Sequence, residues 1–187
     1  MIQSVRLLAL ALLAAAAPPI AAETLFIEPE KTTVSFSLGA TMHTVHGELF
    51  VESGEIRFDL ESGEASGEVS LNARRTHTGN AKRDKKMHST VLESERFPEI
   101  VFTPVGVEGQ LKESGRSGIT LLGRVAIHGA EHPLTLAAEI EREGGVISAS
   151  VSFVVPYVEW GMKDPSAFML RVAKEVEVKV ELEGRLK

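Results

Sequence analysis

The stretch from Thr78 to Phe102 reads TGNAKRDKKMHSTVLESERFPEIVF and differs in pattern from the sequence on both sides of it. It begins with Thr78-Gly79-Asn80, in which Asn80 can cap a helix, and continues through a basic segment with apolar residues at helical spacing. Phe97-Pro98 then leads into the alternating run Glu99–Phe102. Because a proline disfavours helix at the residue before it, these features predict one short helix, about residues 80–94, inserted between two strands.

The rest of the chain alternates apolar and polar residues with a period of two, which is typical of strands with one buried face. The clearest run lies between Val176 and Leu182, and about seven others precede it. Loop signals rich in Gly and Ser separate these runs, so the connections are short and favour an antiparallel meander. Closure of such a sheet removes its edges. The sequence therefore predicts an all-β, about eight-stranded antiparallel barrel with one short helix.

The pattern leaves open whether this barrel is hollow or packed. An interior of about eight strands is either filled by side chains or holds one small ligand. Four small residues fall at inward positions, namely Ala73, Gly123, Ala138 and Ala149. Such residues can leave room for a ligand, or they can face phenylalanine rings in a packed core.

The first 22 residues have the features of a cleaved signal peptide. Arg6 supplies a positive charge, Leu7–Ala17 is apolar, and small residues precede Glu23. The apolar run is shorter than the roughly 20 residues that span a bilayer, although an uncleaved anchor is the alternative. We therefore expect cleavage after Ala22, a single domain over residues 23–187, and a periplasmic or secreted location.

The charge and composition of the chain argue against several classes of function. The net charge is −6, and removal of Arg6 with the leader makes it −7. An acidic chain is a poor partner for nucleic acid, where affinity depends on neutralising phosphates. Cysteine is absent, which excludes thiol catalysis and Cys-ligated zinc. Neither a G-x-S-x-G elbow nor a Gly-rich phosphate loop occurs, so the sequence predicts no catalytic residue.

The stretch from Thr78 to Phe102 also resembles the middle of the YceI-like family of polyisoprenoid-binding, lipocalin-like secreted proteins. The resemblance extends over essentially the whole mature chain, through Phe26–Pro29, Thr44–Phe50 and Gly123–Gly129. It implies a lipocalin-like barrel whose apolar lumen binds an isoprenoid lipid of the quinone or polyprenyl-phosphate type, for transport or storage. The function of this family is not tied to a catalytic motif, so the resemblance implies no catalytic residue. We also expect no metal and no cofactor besides this lipid ligand.

The inward strand positions are then the candidate ligand contacts, because burying apolar ligand surface is favourable by about 0.8 kcal/mol per CH₂. These lumen candidates are Val34, Phe36, Leu38, Ile56, Phe58, Leu71, Phe102, Leu121, Val125, Ile127, Leu136, Ala149, Val151, Phe153 and Val155.

Polar contacts to a head group are expected at the barrel mouth. The mouth candidates are His43, His46, Arg83 and Trp160. Arg83 belongs to a basic cluster around Asp84, which also contains Lys82, Lys85 and Lys86. The cluster is either a solvated helix face or a surface that attracts a phosphate head group or an anionic membrane.

Two further hypotheses are compatible with the sequence. The first is a metal- or redox-assisted enzyme acting on a quinone-like substrate, with His43 and His46 as ligands. Two histidines three residues apart can share a metal on a helix, whereas on a strand they point to opposite faces. The second is an exported structural or stress protein with a packed barrel. The expected partners are the isoprenoid lipid and, transiently, a membrane surface; the oligomeric state stays open, a homodimer included.

Overall fold

The computed structural model describes residues 22–187, in which nine antiparallel strands form one sheet. The signal-peptide prediction for residues 1–22 lies almost wholly outside the described residues. The strands are β1 (Glu23–Ile27), β2 (Thr33–Ala40), β3 (His43–Asp59), β4 (Glu64–His77), β5 (Glu99–Gly109), β6 (Gly115–Ile127), β7 (Ala130–Glu143), β8 (Val146–Val155) and β9 (Val176–Leu186).

The sheet closes on itself because β3 pairs with β4 and β9 pairs with both β1 and β2. The strand β1 lies between β3 and β9 at one end of the barrel, and β2 takes the same place at the other end. A 3₁₀ turn at Pro29–Lys31 separates them, and Pro29 has no N–H to continue the ladder. The two strands thus form one interrupted strand, and the predicted eight-stranded antiparallel barrel with a short helix is confirmed.

The predicted helix over residues 80–94 is shorter than expected and changes type. Helix α1 spans Ala81–Lys86, and a π-helical turn, Met87–Val91, follows it. Asn80 caps α1 as predicted, since its side chain accepts hydrogen bonds from the N–H groups of Lys82 and Arg83. The helical backbone does not reach Pro98. It ends at Leu92, because Glu93 adopts a left-handed conformation with φ of 45°.

Alternation along β8 is observed as the sequence predicts, with Ile147, Ala149, Val151 and Val155 buried. An apolar cluster occupies the end of the barrel where β1 lies, and it includes Leu25, Ile56 and Phe58. Gly123 shows how a small residue lets side chains fill the inside of the barrel. A Cβ atom there would lie 2.6 Å from the ring of Phe102, so this small residue accommodates a phenyl group.

Candidate ligand-binding cavity

A cavity of about 500 Å³ lies at the other end of the barrel, under the helical segment. Its volume is within the range of about 300–1,000 Å³ that is typical of small-molecule sites. The strands supply an apolar wall, which includes Phe36, Leu38, Val45, Leu49, Ile100, Ile127, Val155, Val176 and Val178. The interior is therefore packed at one end and hollow at the other.

The helical segment, residues 81–92, covers part of the cavity with Met87, Val91 and Leu92. The π-helical turn is closed by a hydrogen bond of 2.9 Å from the N–H of Leu92 to the carbonyl of Met87. Turns of this kind are rare and occur often at functional sites. Here the wider turn places three apolar side chains of one short segment on the cavity.

Thr78 and Asp84 hold the start of the helical segment against the end of β4. The carboxylate of Asp84 accepts hydrogen bonds from the N–H and the hydroxyl of Thr78. Arg83 donates through Nε to the hydroxyl of Thr78 at 2.6 Å and through Nη2 to its carbonyl at 2.8 Å. The sequence Thr78-Gly79-Asn80 followed by Arg83-Asp84 is thus a local hydrogen-bonded unit that fixes the cover of the cavity.

The connection between β8 and β9, residues 156–175, forms the remaining side of the cavity. Tyr157 and Met162 are buried and line it. The hydroxyl of Tyr157 donates to the carbonyl of Ala173 at 2.8 Å, which closes the connection on itself. Lys86 links the helical segment to this connection, because its Nζ donates a hydrogen bond of 2.8 Å to the carbonyl of Pro165.

Burial raises the pKa of Tyr157 to about 12, with a smaller contribution from the negative charge of Asp164. Hydrogen bonds from Ser166 hold the pKa of Asp164 below its usual value, and the charges of Lys174 and Arg171 act in the same direction. At neutral pH the connection therefore carries a neutral phenol on its cavity side and an ionised carboxylate near two cations.

The mouth of the cavity is defined by the five lining residues whose side chains are exposed: His43, Asn80, Lys82, Lys86 and Leu170. Two of them are lysines, and none is acidic. Inside the mouth, Thr76 is only 3% exposed, and its hydroxyl has no hydrogen-bond partner among the described residues. Buried hydroxyl groups normally have a hydrogen-bond partner. The unpaired hydroxyl of Thr76 is therefore available to bond with a polar group of a ligand.

Four of the fifteen lumen candidates line the cavity, namely Phe36, Leu38, Ile127 and Val155. The other eleven do not line it. Most lie in or against the apolar cluster at the packed end: Val34, Ile56, Phe58, Leu71, Leu121, Leu136, Ala149, Val151 and Phe153. Phe102 packs on Gly123, and Val125 packs with Ala73 and Ile100. Alternation identified the inward face, but it could not show which part of that face is hollow.

Of the four mouth candidates, His43 and Arg83 line the cavity, whereas His46 and Trp160 do not. His46 bonds to the hydroxyl of Ser37 at 2.9 Å on the outer face, so the two histidines of β3 point to opposite sides. The ring of Trp160 stacks on that of His132, with 4.3 Å between the ring centroids, in a part of β7 that does not pair with β8. Trp160 lies on the connection between β8 and β9, packs against buried apolar residues such as Val125 and Val155, and does not line the cavity.

Sequence reasoning missed Thr76, the residues of the π-helical turn, and Tyr157 and Met162. Thr76 was missed because the alternation of β4 shifts by one residue. Arg74 and Arg75 are both exposed, so the inward-facing residues have odd numbers up to Ala73 and even numbers from Thr76. The single tyrosine of the chain was a usable signal, because a lone aromatic hydroxyl after the strand Val146–Val155 is suited to fixing a long connection.

Within residues 22–187, no three His, Cys, Asp or Glu side chains are grouped closely enough to hold a metal ion. Over the same range, no helix is both long and apolar enough to cross a membrane.

The fold and the cavity define a lipocalin-like β-barrel with an apolar chamber under a short helical cover. A model of the YceI-like domain matches residues 26–184. The chain therefore belongs to the YceI-like family. The comparison with curated proteins found no match.

Several solved structures share this fold at low sequence identity. BcnA of Burkholderia cenocepacia is 14% identical, covers 84% of this chain and 98% of its own length, and has a TM-score of 0.66. A polyisoprenoid binding domain from Saccharophagus degradans, implicated in plant cell wall breakdown, is 10% identical over 87% of this chain and 97% of that one, with a TM-score of 0.68. The Campylobacter jejuni YceI protein is 17% identical over 74% and 80% of the two chains, with a TM-score of 0.53.

Proposed function

We propose that this protein binds an isoprenoid lipid in the cavity and carries or stores it outside the cytoplasm. The observation that carries the proposal is the 500 Å³ chamber, whose strand-built wall is apolar and whose two lysines lie at its mouth. A hydrocarbon chain fits such a wall because its transfer from water is favourable by about 0.8 kcal/mol per CH₂. Family membership and the name of the Saccharophagus degradans domain support the same class of ligand.

The polar residues near the mouth suit the head group of such a lipid. The free hydroxyl of Thr76 can donate a hydrogen bond to a quinone carbonyl or to a phosphate oxygen. Lys82 and Lys86 are placed to attract a phosphate. The proposal includes no catalytic step and no metal, because an apolar wall with a few hydrogen-bonding groups is sufficient for binding.

A neighbouring pair of variants on β8 tests this function. Val155 lines the cavity, whereas the next residue, Val154, is half exposed on the outer face. In a solvent extract of purified protein, we expect an isoprenoid lipid near one equivalent from wild type and from the Val154→Trp control. Val155→Trp places an indole in the chamber and is expected to lose most of this lipid. A folded wild type without any lipid, or Val155→Trp with as much lipid as the control, would contradict the proposal.

The location outside the cytoplasm rests on residues 1–22 and is part of the same proposal. The apolar leader that ends before Glu23 supports it. N-terminal sequencing of protein from the cell envelope or medium should find Glu23 first. An intact Met1 on protein that stays with the cytoplasm would place its function elsewhere.

A further inference from the structure

Two exposed apolar tips lie beside the mouth of the cavity. The first is Met42, at the two-residue turn between β2 and β3, and it is 99% exposed. The second is the turn Ala167–Leu170, closed by reciprocal backbone hydrogen bonds of 2.8 and 3.2 Å between its ends. This turn presents Phe168, 97% exposed, and Met169, 84% exposed. In residues 22–187, four of the six exposed large apolar residues belong to these two tips.

Hydrogen bonds hold the two tips together. The N–H of Thr41 donates to the carbonyl of Arg171 at 2.8 Å, and the N–H of Arg171 donates to the hydroxyl of Thr41 at 2.9 Å. A further bond joins Ala173 to Gly39, and Ala40 forms a β-bridge with Val172. The apolar residues are therefore presented by one connected edge of the fold.

This edge is continuous with the mouth. Met42 is followed in sequence by His43 and Met169 by Leu170, and both of these neighbours line the cavity. Met42 also has a positive φ of 70° at a turn position that usually holds Gly or Asn. A bulky apolar residue there gains nothing from packing, and residues that break a local rule without compensation in the fold often mark functional surfaces.

The charges around the edge are the reverse of the charge of the whole chain. The segment 81–88 carries four cations and one anion, and the segment 163–174 carries Lys163, Arg171 and Lys174 against Asp164. The net charge of the protein is −6, so this end is locally basic on an acidic molecule. Apolar side chains that project from a basic surface match a bilayer, where the side chains enter the interface and the cations face anionic phosphates.

We propose that the edge formed by Met42 and Phe168–Leu170, together with the flanking cations, is a membrane-docking surface that places the cavity mouth against a lipid bilayer. This inference rests on the proposed lipid-binding function, because the ligand it serves is one that partitions into membranes. Docked in this way, the mouth exchanges its ligand with the bilayer without exposing the hydrocarbon chain to water.

Vesicle flotation with mixed zwitterionic and anionic phospholipids tests the surface, using processed protein with the same N-terminus throughout. The variant combines Met42→Asn, which suits the left-handed turn, with Phe168→Ser and Met169→Ser. It is expected to lose at least about tenfold in vesicle binding, since one large apolar side chain can contribute that factor. The control Val105→Ser removes an apolar residue that is half exposed, lies outside the two tips and does not line the cavity, and it should bind vesicles as wild type does.

A second arm tests the charges. Lys85 and Arg171 do not line the cavity, and their side chains form no ion pair within the part of the chain that the structure describes. Lys85→Glu with Arg171→Glu should weaken binding to anionic vesicles by at least about tenfold, and high salt should reduce the difference.

Vesicle binding and extracted lipid content are measured on the same samples. The two results therefore distinguish failure of the docking inference from failure of the proposed function. Loss of vesicle binding with normal extracted lipid supports docking. Unchanged vesicle binding by the triple variant overturns docking, even if the protein carries lipid. A wild-type dimer that the triple variant dissociates, without vesicle binding by either, also overturns docking and assigns the edge to self-association. If the variant loses vesicle binding but wild type carries no lipid, the docking inference stands and the proposed function is overturned.

Discussion

The Nε2 atom of His128 lies 2.6 Å from Oε2 of Glu93, and both residues have a left-handed backbone, with φ of 52° and 45°. Glu93 ends the helical segment that covers the cavity, and His128 lies at the turn between β6 and β7. The ring of Phe97 packs on His128 at 4.7 Å. The cover is therefore fastened to the barrel at its far end, as Thr78 and Asp84 fasten its start.

This contact predicts an order of stability for two variants of Glu93. Glu93→Ala loses the hydrogen bond but keeps the strained backbone, so the free energy of unfolding should fall by about 1 kcal/mol. Glu93→Gly loses the same bond but adopts the left-handed conformation without steric cost, so its loss should be smaller. Urea denaturation measures both values. A glycine variant less stable than the alanine variant would show that the backbone at position 93 is not strained.

Two positions on β8 should respond differently to the same enlargement. Val151 lies in the packed cluster, whereas Val155 lines the cavity, four residues further along the same inward face. Val151→Trp overfills a packed region and should cost about 1–3 kcal/mol or more. Val155→Trp has the chamber available, so the lipid-free form should keep a melting temperature close to that of wild type. Equal destabilisation by both substitutions would mean that the chamber does not accept added volume.

Two glycines on β6 provide a matched test of packing. A Cβ atom at Gly123 would meet the ring of Phe102 at 2.6 Å and the carbonyl of Thr103 at 2.7 Å, whereas at Gly118 it would meet nothing within 4 Å. Gly123→Ala should therefore lower the free energy of unfolding by about 1–3 kcal/mol, as overpacking does. Gly118→Ala should be neutral or slightly stabilising. Chemical denaturation of both variants makes the comparison, and similar values for the two would refute the close contact at Gly123.

The single tyrosine allows its ionisation to be followed in isolation. The pKa of Tyr157 is about 12 in the folded protein, against about 10 for an unfolded tyrosine. Since the folded pKa is the higher one, the contribution of Tyr157 to stability is complete below about pH 10 and is lost as pH rises towards 12. Tyrosinate absorbance should show a midpoint near 12 in buffer and near 10 in denaturant. A midpoint near 10 under both conditions would mean that the phenol is not buried in solution.

Much of the fold could be predicted from the sequence, because strand alternation and turn chemistry are local. The period-two run of Val176–Leu182 identified a strand with one charged face, and Asn80 marked the start of the helix. The resemblance carried by Thr78–Phe102 identified the family, because the order and spacing of these residues are a linear property of the chain. The strand and the helix start depend on neighbours within a few residues, and the resemblance depends on the order of residues within one continuous segment.

The position of the cavity was decided only by the tertiary structure. Val151 and Val155 occupy equivalent places in the alternation of β8, yet one is packed and the other faces the chamber. The difference arises from partners distant in sequence: side chains such as Phe58 and Ile56 fill one end, whereas at the other the connection 156–175 and the helical segment arch over the strands. Volume inside a closed barrel is set by which side chains meet across it, and a one-dimensional pattern specifies only which side of the sheet they face.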